Sequence, residues 1–532
     1  MICYRAIVAA FLGVCISVGI VVGGDGIIEL SVTEGSAGVN VPARIRVSDR
    51  SGKDYLPEGA VVVPIAKDRW FAGVGAVRIR VPAGEVTVRV ERGTEYRPVI
   101  ESVRVEDGKT VRHEVKLERW IDMGRRGYVS GENHLHVPAS KLGAMVAAEG
   151  LDFGTALSWW NGPRAEIHSG AECVEEMHVG DEAIVASVCD AEVEHSWGAV
   201  YLIGLKEPIT IASNGRRSNL AFVREAREQG ALICYQAGWS REVLVDALLG
   251  YVDVVNVCNN NFHRYKYQPR KRYSNLLDVE GLPDYPNTPE DMMRMNFETY
   301  YRLLNCGLRP AAGAGSATGA KSTPVGYNRA YVRAGTEPTL EEFLEAWREG
   351  RNFVTNGPMV FFRTDKGKQP GDTIALPAAG GKVNLEVAAL SEQPLRSLEL
   401  VANGKVVGTA DIGEDQHEAR LKVVLDVKEG MWVGARCTEE DRLLSDEALA
   451  RYRGAGSLPE EPCRLRFAHS SPIYVTVGGK GARVASSVAE ARKMLEGFEG
   501  FARKTAAGGE LAEILDALPT DVRIPTQGPR ND

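Results

Sequence analysis

The chain has 532 residues, 44% of them hydrophobic and 25% charged. This is the composition of an ordinary globular protein, and the length allows about three or four domains. The formal net charge is −8, and the chain contains no long run of Lys or Arg, so the charge balance argues against nucleic acid as a partner.

The N-terminal segment has the features of a secretory signal. One Arg precedes an uncharged apolar run from Ala6 to about Gly24, with small residues near its end. We expect residues 1–24 to be a signal peptide cleaved near Gly23–Asp25, and the mature protein to be exported, either periplasmic or extracellular. An uncleaved membrane anchor is the alternative, because Ala6–Val22 approaches the length of a spanning helix. No other stretch is apolar enough to span a membrane.

Residues 25–120 are predicted to form a small antiparallel β-sandwich. Apolar and charged side chains alternate in Ala76–Pro82, Glu85–Gly93 and His113–Trp120, and turn sequences separate these segments. Such period-two patterns are typical of strands that bury one face. The order of strands and turns resembles the carboxypeptidase-regulatory-like (transthyretin-type) modules, and no residue pattern in the region indicates catalysis.

Residues 121–358 show a different pattern, in which short apolar runs alternate with amphipathic segments. Ala231–Gln236 and Asp253–Asn259 predict strands, and Pro289–Gly307 predicts a helix. Thr339–Glu342 predicts a capping box at the start of another helix. The alternation indicates parallel βα units, in an open sheet or a barrel, with functional side chains at the carboxyl ends of the strands.

After residue 358 the period-two alternation returns, as in Lys382–Leu390. Together with the Asn403-Gly turn, it predicts a second sandwich over residues 359–478, immunoglobulin-like in architecture. Residues 479–532 predict a helical tail with a disordered end. Gly350–Pro358 is predicted to be the turn that joins the central region to this sandwich. The fold class is therefore multidomain, with α/β and β regions.

Seven of the nine cysteines follow the predicted signal. Cys437 and Cys463 are the pair in the later β-region, and the sequence leaves a disulfide between them open. The others lie in apolar or helical contexts without CxxC spacing and are predicted to be buried thiols: Cys173, Cys189, Cys234, Cys258 and Cys306.

His134 and His136 stand one residue apart in the segment Ser130–Val137. If this segment is extended, alternate side chains point to the same side, so both imidazoles face one cavity. One element can supply two metal ligands in this way. The alternative is a pair of hydrogen-bonded histidines in the core.

Five segments in chain order resemble the CehA/McbA-type branch of the PHP (polymerase and histidinol phosphatase) metallohydrolases. Their spacing and order agree from about residue 75 to about residue 480. The resemblance implies a distorted βα barrel that holds divalent metals and hydrolyses phosphate, carbamate or ester bonds. The segments are these: Gly127–His136, Trp197–Gly204, Pro324–Val332, Gly350–Pro358 and Ser471–Val475.

The resemblance also implies a set of metal ligands that this sequence keeps only in part. His134 and His136 match, Glu132 replaces the expected Asp, and the expected bridging Glu corresponds best to Glu192, with Glu194 as a close competitor. Four further positions carry residues that bind divalent metals poorly. These positions are Ser158-Trp159, Ala199, Ala237 and Ser316 or Ala317.

The retained residues could hold one metal ion (Zn, Mn or Fe) in the style of two histidines and one carboxylate. The predicted ligands are His134, His136 and Glu192, and the alternative for Glu192 is a solvated loop carboxylate. His195 or His263 would serve as the catalytic base or as an additional ligand.

Polar residues are predicted to line the same cleft. Asn260 and Arg264 follow a predicted strand, and they could bind sugar hydroxyls or a phosphate; the alternative is a turn-forming loop. Lys321 lies in the Gly-rich segment Gly313–Ser322 and could contact an anion. Ala320 precedes this Lys, which excludes a nucleotide-binding loop.

Three tryptophans at predicted strand ends, Trp159, Trp160 and Trp239, indicate an aromatic wall for sugar rings, with core packing as the alternative. Two functions agree with these features. The first is an exported metal-dependent hydrolase with a reduced site that acts on phosphoester or other ester-like bonds. The second is a non-catalytic protein that binds a carbohydrate or an anion in the same cleft.

Overall fold

The computed structural model of the protein describes residues 24–35, 38–65, 68–162, 172–213, 215–238, 240–262, 285, 289–321, 323–440, 465–519 and 522. The predicted signal peptide, apart from Gly24, lies outside this range, as do the last ten residues of the predicted tail. None of the helices in the described residues has the length and apolar character needed to cross a membrane.

The N-terminal region folds into two sheets that bury their apolar faces against each other, as its alternation predicts. In β7, Ile79 and Val81 are buried, whereas Arg78 between Val77 and Ile79 is exposed. One sheet joins β1 to β10, β2 and β7, and the other has the order β5-β6-β3-β8-β9, with β4 on β3. The prediction of a wholly antiparallel sandwich is wrong for β1 and β10, which pair in parallel. The strands are β1 (Asp25–Glu34), β2 (Val39–Asn40), β3 (Ala43–Asp49), β4 (Asp54–Tyr55), β5 (Val61–Ile65), β6 (Asp68–Gly73), β7 (Val77–Pro82), β8 (Gly84–Glu91), β9 (Val99–Val105) and β10 (Thr110–Leu117).

The central region contains one long mixed sheet with helices against it. Its strand order begins β18-β17-β16-β15-β14-β12-β11-β19-β20, and β13 pairs with β14. The strands are β11 (Val129–Gly131), β12 (Phe153–Trp160), β13 (Val174–Val179), β14 (Glu182–His195), β15 (Gly198–Ile203), β16 (Leu232–Gln236), β17 (Val254–Cys258), β18 (Ala311–Ala314), β19 (Arg329–Val332) and β20 (Asn352–Thr355). The helices are α1 (Ala139–Ala148), α2 (Leu220–Glu228), α3 (Val243–Leu248), α4 (Pro289–Asn305) and α5 (Leu340–Arg348), preceded by a 3₁₀ turn at Gly124–Arg126.

These strand ladders do not close into a barrel within the described part of the chain. Single backbone hydrogen bonds instead connect the segment after β11 to β18 and the loop behind it. The Asn133 N–H donates to the Ala314 carbonyl at 3.2 Å, and the His136 N–H donates to the Thr318 carbonyl at 2.8 Å. The two histidines therefore lie where the segment after β11 meets the end of β18.

The helix starts predicted from the sequence are confirmed where capping chemistry was specific. In α5, the Thr339 hydroxyl accepts the Glu342 N–H at 3.2 Å, and the Thr339 N–H donates to the Glu342 carboxylate at 2.9 Å. This reciprocal pair satisfies two donors that the first helical turn leaves open. Helix α4 begins at Pro289, where the missing N–H of proline costs nothing.

The C-terminal region is again built from two facing layers of strands. The sheet β21-β23-β26 packs against the layer that contains β24, β27 and β29. Asn403 and Gly404 have φ angles of 49° and 81°, which confirms the predicted hairpin turn between β24 and β25. The strands are β21 (Met359–Thr364), β22 (Thr373–Leu376), β23 (Gly381–Leu390), β24 (Leu395–Ala402), β25 (Lys405–Thr409), β26 (Glu418–Val427), β27 (Met431–Glu440), β28 (Leu465–Ser470) and β29 (Ile473–Val477).

The predicted turn at Gly350–Pro358 is wrong over its central residues, which form β20. This strand pairs with β19 on one side and with β28 on the other, where Val354 lies opposite His469. The central sheet is therefore continuous with one layer of the C-terminal sandwich. The predicted helical tail is confirmed by α6 (Ala485–Thr505) and α7 (Glu510–Ala517), and the Phe498 ring of α6 lies 5.5 Å from that of Trp197.

The prediction of buried thiols is wrong for Cys173 and Cys189, which form a disulfide with a Cα–Cα distance of 5.0 Å. The physical reason is the antiparallel pairing of β13 with β14, which brings the residue before β13 next to Cys189. The remaining predicted thiols, Cys234, Cys258 and Cys306, are buried thiols as expected. Cys437 is also a buried thiol, and Cys463 lies outside the described residues. The described residues are rich in β-structure arranged in several sheets, which confirms the β part of the predicted multidomain fold class.

Candidate metal centre

His134 and His136 lie in an extended segment just after β11, rather than in a longer strand as the sequence suggested. Leu135 between them forms a single β-bridge with Thr318 and is fully buried. Because side chains alternate along an extended backbone, the two imidazoles point to the side opposite Leu135. Glu192 approaches them from β14.

The three side chains converge on one point. The His136 Nε2 atom lies 2.9 Å from Glu192 Oε2, and the His134 Nε2 atom lies 3.5 Å from Glu192 Oε1. The two Nε2 atoms are 3.1 Å apart. All three residues are buried. Together, their side chains form a group of possible ligands that could hold a metal ion. The predicted ligand set is therefore brought together, and the solvated-loop alternative for Glu192 is wrong.

The Gly-rich segment Gly313–Ser322 packs directly against the histidines. A Cβ atom added at Gly315 would lie 2.5 Å from the His134 Cβ atom. Gly319 has a φ of +96°, and an added Cβ atom would overlap the His136 carbonyl oxygen. Only glycine fits at such approaches. Small residues here let the loop backbone approach the ligands closely.

The protonation states suit metal binding. Burial alone would raise the pKa of Glu192, but the neighbouring imidazoles of His134 and His136 lower it to about 2. Burial lowers the pKa of His134 below its ordinary value against the opposing charge of Glu192, and the positive charge of Lys321 lowers it further. An ionised carboxylate and a neutral imidazole are the forms that bind a metal.

Two aromatic rings flank the imidazoles. The Tyr201 ring lies 4.1 Å from that of His134, and the Trp160 ring lies 4.6 Å from that of His136. Trp160 is 37% exposed, and its indole N–H donates to Glu194 Oε2 at 3.1 Å. Glu194, the alternative to Glu192 that the resemblance left open, therefore binds the Trp160 indole. It is not one of the three converging side chains.

The prediction that Trp159 binds substrate is wrong. Its side chain is buried and packs 5.7 Å from the ring of Phe222 in α2. Neighbouring residues of a strand point to opposite faces, so Trp160 faces His136 and Trp159 faces the helix layer. Trp239, the third predicted tryptophan, lies outside the described residues.

The prediction that His195 is a catalytic base or additional ligand is wrong for the same reason. It is three residues beyond Glu192 on β14 and points to the other face of the sheet. There its Nδ1 atom accepts the Trp197 N–H at 3.2 Å, and burial lowers the pKa of its imidazole to about 4. His263 and Arg264, predicted as base and anion contact, lie outside the described residues.

Asn260 is linked to the candidate metal centre through Gln236 and Tyr201, and Lys321 belongs to the loop that packs against its histidines. Asn260 is buried and its Oδ1 atom accepts a hydrogen bond from Gln236 at 2.9 Å. The charge of Lys321 acts on the pKa of His134, which places this amine within electrostatic range of the ligands.

Glu132 has a structural role. Its buried carboxylate accepts the Ser316 N–H at 2.5 Å and the Gly326 N–H at 2.6 Å. Burial raises the pKa of this carboxyl to about 8. The other positions at which the resemblance implies ligands carry side chains without ligand atoms or engaged elsewhere: Ala199 and Ala237 are buried, and the Ser158 hydroxyl donates to the Val188 carbonyl.

Sequence reasoning missed Tyr201, Gln236 and the pair formed by Asn133 and Asn256. The two Asn side chains exchange reciprocal amide hydrogen bonds of 2.9 and 2.7 Å and fix the segment after β11 to β17. A Tyr or Gln within an apolar run gives no local signal, because only strand register places it beside a ligand. The adjacency of Asn133 to His134 was the one available indication.

No model of a protein family matches the chain, and no curated protein matches it. Among solved structures, it is similar to GBS52, the minor pilin of the Gram-positive pathogen Streptococcus agalactiae, at 12% identity with a TM-score of 0.16. The match covers 19% of this chain and 47% of the pilin, so the chain spans less than half of the pilin's length. This similarity is too low to indicate a shared fold or function.

Proposed function

We propose that the protein is an exported metal-dependent hydrolase with a reduced, single-metal site that acts on phosphoester or other ester-like bonds. The observation that supports this most is the convergence of two Nε2 atoms and one carboxylate from His134, His136 and Glu192. The resemblance to the CehA/McbA-type PHP metallohydrolases, including their distorted barrel, forms part of this proposal and suggests the reaction class.

The donor set fits a divalent metal. Four atoms bound tetrahedrally at about 2.0–2.1 Å lie about 3.3 Å apart. The two Nε2 atoms are 3.1 Å apart, and each lies 2.9 or 3.5 Å from a different oxygen of the Glu192 carboxylate, which is close to that spacing. Two imidazoles and a carboxylate suit Zn, Fe or Mn and leave coordination positions open. When bound, such a metal supplies Lewis acidity and activates water for attack on an ester-like bond.

The chain's own residues would orient the ligands and the substrate. Tyr201 packs on His134 and Trp160 packs on His136, which restricts both rings to their ligating orientation. Burial of the three ligands excludes bulk water and strengthens charge interactions inside the site. The positive charge of Lys321 favours a substrate that carries an anionic group. His195 faces away from these ligands and has no role in proton transfer.

The second candidate function is a non-catalytic protein that binds a carbohydrate or an anion. Two observations favour it. Ala199 and Ala237 bring no ligand atom to the positions where the resemblance implies further metal ligands. The partly exposed indole of Trp160 also offers a face on which a sugar ring could stack.

Metal analysis of the purified mature protein tests the hydrolase. We expect about one equivalent of Zn, Mn or Fe, and a metal at 100 times its Kd should stabilise the fold by about 2.7 kcal/mol. His134→Ala should lose the metal, the stabilisation and any phosphatase or esterase activity together. His178→Ala, at an exposed histidine of β13, is the matched control and should retain all three.

Two results would decide between the candidates. Less than about a tenth of an equivalent of metal, with no change in melting temperature on adding it, would contradict the hydrolase, because a bound metal must stabilise the fold. Loss of activity and metal together in His134→Ala would contradict the non-catalytic protein.

A further inference from the structure

A chain of side-chain hydrogen bonds leads from the metal centre along the inner face of the sheet. Glu192 lies opposite Tyr201 in the β14–β15 pair, and Tyr201 lies opposite Cys234 in the β15–β16 pair. Paired residues of antiparallel strands share a face, and so do residues two apart on one strand. Gln236 therefore lies on the same face as Glu192 and Tyr201.

The hydrogen bonds in this chain all run in one direction, away from Tyr201. The Tyr201 hydroxyl donates to Gln236 Oε1 at 2.6 Å, and Gln236 Nε2 donates to Asn260 Oδ1 at 2.9 Å. Because the Gln236 oxygen is turned to Tyr201, its amide nitrogen must face Asn260. Asn260 must then present its oxygen to Gln236, and its Nδ2 group is left to donate elsewhere.

The remaining donor lies at an accessible point of a buried residue. Asn260 is 4% exposed. Within the described residues its Nδ2 atom donates no hydrogen bond, and this atom is not fully buried. Its N–H groups therefore lie at a narrow accessible point at the carboxyl end of β17, the edge at which strand ends carry functional groups. A carboxamide nitrogen can donate hydrogen bonds but cannot accept them.

We propose that Tyr201 and Gln236 are positioning residues that direct the N–H groups of Asn260 at the ligand of the metal centre. The ligand therefore presents an oxygen acceptor at this point, such as an oxygen of a phosphate group. This inference rests on the proposed function and deepens it, because it specifies which side of the substrate must carry the acceptor. Tyr201 has a second contribution, since its ring also packs against His134.

The test uses the full mature chain loaded with Zn²⁺, with inorganic phosphate as the probe and calorimetry as the measurement. Asn260→Asp keeps the oxygen that accepts from Gln236 and replaces only the donor, so phosphate should bind about tenfold more weakly or worse. Tyr201→Phe adds no charge and retains the ring on His134, and it should weaken phosphate binding about threefold because the Gln236 amide is free to turn.

Gln236→Glu tests for a loss of phosphate binding that a merely structural role of Gln236 would not produce. A Glu can accept from both neighbours but cannot donate, so Asn260 should turn its N–H groups toward it and lose them for the ligand. Phosphate binding should fall as in Asn260→Asp. The double variant with Gln236→Glu and Asn260→Asp should bind phosphate no more weakly than either single variant. Asn40→Asp, at an exposed site on β2, controls for the change in net charge and should bind phosphate normally.

Zn²⁺ affinity and melting temperature, measured on every variant, separate the possible failures. Unchanged Zn²⁺ affinity with weakened phosphate binding supports the inference. Phosphate binding within twofold of the wild type in Asn260→Asp, no phosphate binding by the wild type, or loss of Zn²⁺ together with phosphate in all three variants overturns it. If the wild type binds no Zn²⁺, the proposed hydrolase fails, and the same phosphate titrations without metal still decide the inference.

Discussion

Replacing His469 by Gln is expected to make the stability of the protein less sensitive to acid. His469 is fully buried in β28. Its Nδ1 atom lies 2.7 Å from the Ser470 carbonyl oxygen and its Nε2 atom 2.7 Å from the Tyr301 hydroxyl. A carbonyl only accepts, so Nδ1 carries the hydrogen and Nε2 accepts from Tyr301. The neutral imidazole is therefore fully satisfied, and a second proton on Nε2 would remove the hydrogen bond that Tyr301 donates to it.

The groups around the ring also disfavour a positive charge. Arg436 lies opposite His469 in the β27–β28 pair and forms an ion pair with Glu399. Tyr300 and Tyr301 face the imidazole from α4 with uncharged rings. Burial, with a further contribution from the charge of Arg436, lowers the pKa of His469 to about 3.

The sign of the pH effect follows from this direction. An unfolded His has a pKa of about 6.5, so between about pH 6.5 and pH 3 the unfolded chain binds a proton that the folded protein does not. The stabilisation is complete above about pH 6.5, and it is lost as the pH falls, at about 1.4 kcal/mol per pH unit. From pH 6.5 to pH 5 the loss is about 2 kcal/mol.

Urea unfolding of the wild type and His469→Gln between pH 5 and pH 7.5 measures this loss. A Gln side chain can donate to the Ser470 carbonyl and accept from Tyr301, so it imitates the neutral imidazole without titrating. The wild type should lose about 2 kcal/mol more than the variant on acidification to pH 5. Other titrating groups contribute equally to both proteins. Parallel curves for the two would refute the assignment of a depressed pKa to His469.

Three further sets of substitutions test other parts of the structure. Replacing Cys173 and Cys189 by Ser should lower the free energy of unfolding by about 3 kcal/mol, as expected for a closed loop of this length, and reductant should then no longer affect the melting temperature. Gly319→Ala should lower the melting temperature and the metal affinity together, because its Cβ atom would displace the His136 backbone; an unchanged affinity would contradict this packing. Trp159→Ala should destabilise the fold by about 3–5 kcal/mol, whereas Trp160→Ala should alter stability little but change ligand binding, and calorimetry of both variants would expose a reversal of these roles.

The local sequence pattern was sufficient to predict the elements that depend only on residues close together in the chain. The period-two alternation located β7 to within a residue of its start, at Val77 instead of Ala76. The capping box at Thr339 and the hairpin turn at Asn403 are likewise formed by neighbours in sequence. The pair His134 and His136 belongs to this class, because alternation along one extended segment is enough to point both rings the same way.

The sequence does not show which face of the sheet each strand residue points to. The errors in the predicted site follow from this. The β12–β14 pair changes register twice, between Thr155 and Leu157 and between Leu157 and Trp159. Each irregularity alters which side chain faces the metal centre. Trp160 instead of Trp159 therefore faces the site. The disulfide between Cys173 and Cys189 depends on the hairpin of β13 and β14, which the sequence pattern did not predict.

Glu132 joins two loops beside the candidate metal centre. It stands where the resemblance implies a ligand, yet its carboxylate accepts the N–H groups of Ser316 and Gly326 and so joins two loops. Removing it would leave two buried donors without an acceptor, at a cost of about 1–3 kcal/mol each. A carboxylate held by these bonds cannot turn to bind a metal without that loss. If the resemblance holds, we therefore expect that histidines introduced at Ala199 and Ala237 would not create a second metal site, because the Glu132 carboxyl group still holds the two loops.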